Sequence, residues 1–380
     1  MKIVIIRSCL ETLTPRATKN AEALASVGHD VTILAWDREN KNPKLERKNG
    51  YQARRFKFKV PYGPMVLLYL PIWWCFEFFW LLMKRCDVIH AMDLDTIIPA
   101  VIAAKIKGKP VVYELADIYE YMMPLPSILR RMCVYVDKIF MRLADAVIAE
   151  SKSAIEGLNG IPNDNVIVIY SSPPDFRKML GAAGGRNDVF IIFFAGILSR
   201  HYPLNLDKVA TAVRCTEGVK LIIAGYGDQV EEIKEWAYAT DKIEFLGRIS
   251  YTEVLERTMN CDLLFAIHET TSLNVRYTTP NKLFEAMMSG KPVLVTEDTA
   301  MADIVEEENC GLVVAPHNVE QIKETIVRLR DNPEFCRELG SNGRRAYEQQ
   351  YSWEIMKQRL LGLYHKISSR MEAEQEAPRH

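Results

Sequence analysis

Short apolar strands alternate with helical segments along almost the whole chain, and this alternation restricts the fold more than any other feature. A strand at 3–6 leads into a helix that starts near Thr14-Pro15 and ends at Gly28, and a second strand follows at 31–35. Strand, helix and strand in this order form a βαβ unit. Because the pattern recurs as far as Val314, it predicts α/β domains with doubly wound parallel sheets.

The length of the chain predicts two such domains. At 380 residues it exceeds the size at which a single core keeps growing. A glycine-rich stretch at 181–188 is typical of a linker, and the strand–helix alternation restarts after it. We therefore predict a first domain at 1–182 and a second at 183–352, with a cleft between them.

Composition narrows the class of protein and its compartment. The net charge of −1 argues against a general nucleic-acid binder. The eight cysteines are scattered without a C-x-x-C pair, which favours a reducing compartment over a disulfide framework or a zinc site. The amino terminus opens directly with a strand instead of a signal peptide. We expect a cytoplasmic protein.

One run in the second half, at 279–293, combines a helix start with a carboxylate. Thr279 is expected to cap a helix, Pro280 suits its first position and Gly290 ends it. The amino terminus of such a helix favours an anion, and Glu285 lies just over one turn into it. The alternative is an ordinary amphipathic helix with a solvated glutamate.

Several motifs of the second half occur in the order and spacing of a known family. They are Phe194 to Ser199, Leu221 to Gly227, Phe245 to Ser250, the run around Glu285, and Ala302 to Val314. With them, this half resembles the donor-binding domain of the GT-B-fold glycosyltransferases, and it is most similar to family 4 of the retaining enzymes. The first half resembles the family only through short segments at 28–33, 90–93 and 111–114.

The resemblance implies a nucleotide-sugar site in the second domain. Glu285 would bind the ribose hydroxyls, since a carboxylate offers two acceptor oxygens to a vicinal diol. The helix terminus near Asn281 and Lys282 would face the diphosphate, with neither a metal nor another cofactor required. The other candidates for donor binding are Gly196, Gly225, Gly227, Arg200 and Arg248; as an alternative, each arginine, like Lys282, is a solvated surface cation.

The chain departs from the family at two places that matter for catalysis. Tyr277 stands where a second glutamate is usual, and Ala116 stands near the position of a catalytic histidine. Glu114 or Asp117 then becomes a candidate to act on the acceptor hydroxyl, unless these residues cap the following helix. His90 is a third candidate, with a buried, hydrogen-bonded role as its alternative.

Two further features leave alternatives open. The sequence Asp93-Leu94-Asp95 spells D-x-D, which binds a divalent metal in the other major glycosyltransferase fold, but the βαβ order here disfavours that role. Residues 38–59 are rich in lysine and arginine, and they lead into an apolar stretch at 61–83 that Pro71 and Glu77 interrupt. This segment suits either an anionic membrane surface or a buried helix beside a charged hairpin.

Together these patterns predict a retaining glycosyltransferase that moves a sugar from a nucleotide diphosphate to a hydroxyl acceptor. The acceptor is expected to be a lipid-linked or polysaccharide glycan, and the enzyme to work at the inner face of the cell membrane. As in relatives, the final helix at 353–370 is expected to pack back on the first domain. A nucleotide-sugar 2-epimerase of the same fold and a catalytically silent nucleotide-sugar-binding partner remain alternatives.

Overall fold

The computed structural model describes residues 1–10, 15–61, 64–116, 126–180, 189–200, 204–271 and 273–376. The chain forms two compact units. The first comprises Met1–Tyr170 and Met356–His380, and the second comprises Ser171–Ile355. Both are α/β units built around a parallel sheet, as the alternation of strands and helices predicted.

The first unit contains an eight-stranded sheet in the order β3-β4-β2-β1-β5-β6-β7-β8. All neighbouring strands are parallel except β3, which runs antiparallel to β4. Apart from this edge, the strand order is that of a doubly wound sheet, and the order of strands along the sheet reverses between β1 and β5. The strands are β1 (Lys2–Arg7), β2 (Asp30–Asp37), β3 (Leu45–Lys48), β4 (Tyr51–Lys57), β5 (Val88–Met92), β6 (Val111–Leu115), β7 (Ala146–Ala149) and β8 (Val166–Val168).

Helices connect these strands and bury their apolar faces against the sheet. A 3-10 helix, Pro64–Tyr69, leads directly into α2, so Pro71 lies in the first turn of α2 and does not interrupt it. The central strands are fully buried, with Ile3, Ile5 and Val111 at 1% exposure or less. The helices are α1 (Pro15–Ser26), α2 (Leu70–Met83), α3 (Leu94–Lys107), α4 (Ser127–Leu143) and α5 (Lys152–Gly157).

The second unit contains a six-stranded, entirely parallel sheet in the order β11-β10-β9-β12-β13-β14. This is the doubly wound order with its reversal between β9 and β12. Its strands are β9 (Phe190–Ile197), β10 (Val219–Tyr226), β11 (Ile243–Phe245), β12 (Leu263–Ala266), β13 (Val293–Thr296) and β14 (Gly311–Val314). Its helices are α6 (Phe176–Leu180), α7 (Leu206–Arg214), α8 (Val230–Ala239), α9 (Tyr251–Asn260), α10 (Leu273–Tyr277), α11 (Asn281–Ser289), α12 (Ala300–Glu307), α13 (Val319–Asp331) and α14 (Pro333–Ala346).

The bounds of the two compact units differ in part from the predicted domain bounds. Residues 171–180, assigned from the sequence to the first domain, lie in the second unit, where α6 contacts α9 and α11. The last helix, α15 (Trp353–Glu376), lies in the first unit from Met356 onward. There the Tyr364 hydroxyl lies 2.9 Å from Nδ1 of His90. The predicted linker at 181–188 falls outside the described residues.

The amino terminus of α11 differs from the prediction in one detail. The helix begins at Asn281 with Pro280 in the N-cap position, and no side chain caps it, so Thr279 is not the cap. A proline at this position already has a backbone suited to the helix start. Gly290 ends α11 in the left-handed conformation with φ of 69°, as predicted. The segment before α11, predicted as a loop, contains the short helix α10.

The basic segment at 38–59 forms the edge hairpin of the first sheet. Strand β4 pairs with β2, and β3 pairs with β4. Arg55 is buried and donates hydrogen bonds to the carbonyl of Pro43 and to Glu46. The segment therefore forms a charged hairpin, and part of its positive charge is neutralised internally.

Candidate active site

The candidate donor residues lie at the carboxyl edge of the second sheet, where the strand order reverses. Gly196 is near the end of β9, and α11 begins after the chain has left the end of β12. In doubly wound sheets, ligands bind at this edge and at this reversal point. The predicted residues thus lie at the edge of the sheet where ligands bind in folds of this type.

Lys282 reaches from the first turn of α11 to the end of β9. Its ammonium lies 4.6 Å from the ring centre of Phe194, in a cation–π contact. A Cβ atom at Gly196 would lie 2.9 Å from Nζ of Lys282, so the missing side chain at this position leaves room for the ammonium. Burial lowers the pKa of Lys282, and the nearby Glu285 carboxylate opposes this shift. Among the described residues, no ion pair neutralises this ammonium.

Glu285 lies one turn after Lys282 on the same side of α11. The side chain is mostly buried, at 7% exposure. Its Oε1 accepts a hydrogen bond of 3.1 Å from the Tyr251 hydroxyl at the start of α9. Burial and the carboxylate together raise the pKa of Tyr251, which therefore stays a hydrogen-bond donor. This contact excludes the alternative of a solvated glutamate and fixes one carboxylate oxygen.

His268 is a further residue of this region that the sequence did not reveal. It follows β12, and its backbone N–H donates a 2.7 Å hydrogen bond to the Thr296 hydroxyl. Both ring nitrogens are buried without a hydrogen-bond partner among the described residues. Burial, assisted by the charge of Lys282, lowers the pKa of His268 to about 3. The ring is therefore neutral next to a cation.

Gly225 and Gly227 are required by backbone packing between β9 and β10. A Cβ atom at Gly225 would lie 2.1 Å from the carbonyl oxygen of Gly196, and one at Gly227 would lie 1.9 Å from that of Leu198. Neither distance is compatible with any side chain. The structure thus gives these two glycines a role in the fold, and their role in ligand binding stays a prediction.

This packing predicts the effect of a single methyl group. Gly227→Ala should lower the free energy of unfolding of the second unit by about 2 kcal/mol or more, because the new atom overlaps a backbone carbonyl. Chemical denaturation measures the change. Gly362→Ala is the matched control, since its Cβ would meet no atom within 4 Å and alanine favours the helix. Equal stability of the Gly227 variant and wild type would refute the packing argument.

The predicted arginines lie at the surface of the second unit. The Arg200 side chain is 70% exposed, and its guanidinium lies 3.4 Å from Glu232. Arg248 is exposed and stacks over the ring of Tyr226 at 4.8 Å. Asn281 opens α11 and is half-buried. Of the predicted cations, Lys282 is the one that lies at the helix terminus itself.

The acid–base candidates of the first unit are deeply buried. Glu114 and His90 have no exposed surface, and His90 Nε2 lies 2.8 Å from Glu114 Oε2. Arg16 forms an ion pair with the other oxygen of Glu114, and Asn20 donates a 2.8 Å hydrogen bond to Oε2. Although burial acts in the opposite direction, Arg16 and His90 lower the pKa of Glu114 to about 2.

This geometry does not support a catalytic role for Glu114 or His90. A side chain without exposed surface cannot touch an acceptor hydroxyl in this conformation, and the network instead joins β6, β5 and α1. The third candidate, Asp117, lies outside the described residues.

The D-x-D aspartates are also engaged by neighbouring groups of the first unit. Asp93 forms an ion pair with Arg7, and its Oδ1 accepts a 2.8 Å hydrogen bond from the N–H of Ala116. Asp95 accepts a hydrogen bond from the Ser8 hydroxyl. Burial and the charge of Asp93 raise the pKa of Asp95 to about 6. In the described part of the chain, no group of three or more metal-ligating side chains is assembled.

Two protein families match the chain, one in each half. "Glycosyltransferase Family 4" matches residues 17–172, and "Glycosyl transferases group 1" matches residues 177–346. The chain belongs to the family 4-like glycosyltransferases of the GT-B fold. The fold predicted from the second-half motifs is confirmed, and so is the family.

Individual relatives are distant and match only in part. An uncharacterised glycosyltransferase of Methanocaldococcus jannaschii is 25% identical over 245 residues, 59% of this chain and 60% of that protein. A GDP-mannose-dependent monoacylated alpha-(1-6)-phosphatidylinositol monomannoside mannosyltransferase of Corynebacterium glutamicum is 28% identical over 153 residues, 38% of each chain. The matches therefore span less than two thirds of these relatives' own lengths.

Solved glycosyltransferase structures share the fold over nearly the whole chain. Sucrose-phosphate synthase of Thermosynechococcus elongatus superposes with a TM-score of 0.77 at 16% identity, covering 97% of this chain and 100% of that one. Anabaena HepE in complex with UDP-glucose superposes with a TM-score of 0.69 at 18% identity, covering 96% and 100%.

Proposed function

We propose that this protein transfers a sugar, with retention, from a nucleotide diphosphate donor to a hydroxyl acceptor. One observation carries the proposal: Lys282 and Glu285 lie one turn apart at the amino terminus of α11, at the reversal point of a doubly wound sheet. The ammonium and the helix terminus suit a diphosphate. The carboxylate suits a ribose diol. Family membership and the UDP-glucose complex of HepE support the same assignment.

The residues of the second unit account for the departure of the leaving group. As the bond between the sugar and the diphosphate breaks, negative charge develops on the diphosphate oxygen. Lys282 and the N–H groups of the first turn of α11 stabilise that charge without needing to reorganise. In a same-face substitution, the acceptor oxygen then forms the new bond, and its proton passes to the departing diphosphate. No residue of the first unit needs to be the base.

The acceptor proposed here is a lipid-linked or polysaccharide glycan. The Corynebacterium relative supports this choice of acceptor, because it is named as a mannosyltransferase that acts on a phosphatidylinositol monomannoside. We place the reaction in the cytoplasm, at the inner face of the membrane.

Incubation with a panel of nucleotide-sugars tests the reaction class. Slow release of nucleoside diphosphate from one donor without an acceptor supports transfer, because water then takes the place of the acceptor. The burial of Glu114 and His90 gives a second candidate, a catalytically silent partner, which would bind a donor without turnover. Isomerisation of the donor sugar would instead identify a 2-epimerase. A protein that binds none of these nucleotides would contradict the proposal.

The segment at 38–83 is the proposed contact with an anionic membrane. Within the described residues, Met65–Met83 is long and apolar enough to cross a membrane, and 28% of it is buried. One face of α2 packs inward, including Glu77, whose pKa is raised well above its usual range by burial and by Asp95. The opposite face exposes Ile72, Phe79 and Met83. A helix with one buried and one exposed apolar face suits a position in the interface.

This surface predicts a loss of vesicle binding when its apolar side chains are made polar. The double variant Ile72→Gln/Phe79→Gln should bind anionic vesicles about 30-fold more weakly, since each apolar side chain inserted into the membrane contributes on the order of 1 kcal/mol. Co-sedimentation at low salt measures the affinity. Tyr238→Gln is the control, because Tyr238 is 96% exposed but lies in the second unit. Undiminished binding by the double variant would exclude α2 as the contact.

A further inference from the structure

A basic cavity of about 450 Å³ lies at the amino edge of the first sheet. Its floor includes Pro110, Asp145 and Asn165, which directly precede β6, β7 and β8. Ligands of doubly wound sheets bind at the opposite, carboxyl edge, where Glu114 and the end of β5 lie. The cavity is therefore separate from every residue assigned a role above, and its volume is that of a small-molecule site.

Among the described residues, four cations line this cavity against a single carboxylate. Lys105 comes from α3, Lys109 precedes β6, and Lys366 and Arg370 lie one turn apart on α15. The carboxylate, Asp145, is already engaged: its Oδ2 accepts a 2.8 Å hydrogen bond from the N–H of Val111, and Oδ1 lies 4.0 Å from Arg370. The walls of the cavity thus carry an excess of positive charge.

The three lysines of the cavity lack internal partners. Within the described residues, the ammonium groups of Lys105, Lys109 and Lys366 form no hydrogen bond or ion pair. The neighbouring Lys107 differs, because it donates a 2.7 Å hydrogen bond to the carbonyl of Leu81. Like charges that converge on a concave wall repel one another and concentrate a positive potential there. A multivalent anion relieves this repulsion and accepts charge-assisted hydrogen bonds from each ammonium.

We propose that this basic cavity binds a phosphate-bearing anion. Phosphate fits the lysines because it accepts hydrogen bonds from several directions, and its charge matches the excess on the walls. The phosphate belongs either to a soluble phosphorylated molecule or to a lipid headgroup. The second source has support beside the cavity, since Ile102 and Ile106 share the outer face of α3 with Lys105 and are 47% and 64% exposed.

Charge-neutralising variants test the site with inorganic pyrophosphate and with vesicles of phosphatidylcholine containing phosphatidic acid. Lys105→Gln/Lys366→Gln should weaken pyrophosphate binding about tenfold in a calorimetric titration, because two charge-assisted contacts are lost. Lys152→Gln/Lys357→Gln, which removes the same charge elsewhere on the first unit, should change the affinity less than about twofold. The candidate donor site is intact in all three proteins, so any binding there contributes equally.

The vesicle measurement identifies the source of the phosphate. A parallel loss of vesicle binding in the cavity variant assigns a lipid headgroup, whereas loss of pyrophosphate binding alone assigns a soluble ligand. The four lysines substituted in the cavity and control variants are exposed or half-buried. Unchanged thermal unfolding would verify the fold of each variant. Wild-type affinity of the cavity variant for both probes, or equal losses in the cavity and control variants, would overturn the proposal.

Discussion

Glu285→Ala is expected to weaken the binding of the donor nucleoside diphosphate by about 100-fold or more. In the proposed complex the carboxylate accepts hydrogen bonds from both ribose hydroxyls, and each hydrogen bond to a charged group contributes roughly 1.5–3 kcal/mol. Isothermal titration with UDP and GDP measures the loss, and the tighter of the two in wild type is the relevant ligand. The fold should persist, because the residue lies at the rim of the core at 7% exposure.

Three further variants separate ligand binding from local structure. Glu285→Gln keeps the shape but not the charge and should lie between wild type and the alanine variant. Tyr251→Phe removes the 3.1 Å hydrogen bond to Oε1 and should cost only a few-fold in affinity. Glu235→Ala, an exposed carboxylate on α8, should bind as wild type does. If the Glu285→Ala protein keeps wild-type affinity, Glu285 is not a ribose ligand.

Glu114→Ala is expected to lower the free energy of unfolding of the first unit by about 3–5 kcal/mol. The substitution leaves Arg16 buried without its carboxylate, and uncompensated buried charges are costly. Chemical denaturation followed by circular dichroism measures the change. Glu156→Ala, an exposed carboxylate on α5, should stay within about 0.5 kcal/mol of wild type. A small effect at Glu114 would show that the network contributes little to stability.

The same network predicts how stability depends on pH. The pKa of Glu114 falls from 4.5 to about 2 on folding, so the unfolded chain binds this proton more tightly. The contribution of the Glu114 carboxylate to the free energy of unfolding is complete above pH 4.5, and it is lost as the pH falls from 4.5 towards 2. Glu114→Gln has no proton to bind and should lose this part of the acid dependence. An identical acid profile for Glu114→Gln and wild type would contradict the assignment.

The sequence predicted the features that depend on neighbours along the chain. Gly290 ends α11 because a left-handed residue is needed directly after the helix. The parallel sheets follow from the strand–helix alternation. Prediction was less exact where two local signals competed, since both Thr279 and Pro280 suit a helix start and only the structure shows which one precedes it.

Contacts between distant parts of the chain could not be predicted in this way. Tyr251 on α9 donates a hydrogen bond to Glu285 on α11. His268 lies near Lys282 only because the end of β12 and the start of α11 are at the same edge of the sheet. Nothing local to Arg16 indicates that it pairs with Glu114 on β6. Buried and exposed ionisable side chains look alike in sequence, which is why the sequence alone leaves Glu114 and His90 as candidates for catalysis beside their alternatives.

The most direct test of the donor site compares a nucleoside diphosphate with its nucleoside in wild type and in Lys282→Gln. The difference between the two ligands isolates the binding of the diphosphate. Wild type should bind the diphosphate about 100-fold more tightly than the nucleoside, and Lys282→Gln should reduce this ratio about tenfold or more while nucleoside affinity stays unchanged. An unchanged ratio in the variant would show that the diphosphate does not lie at the amino terminus of α11, and the proposed donor site would be wrong.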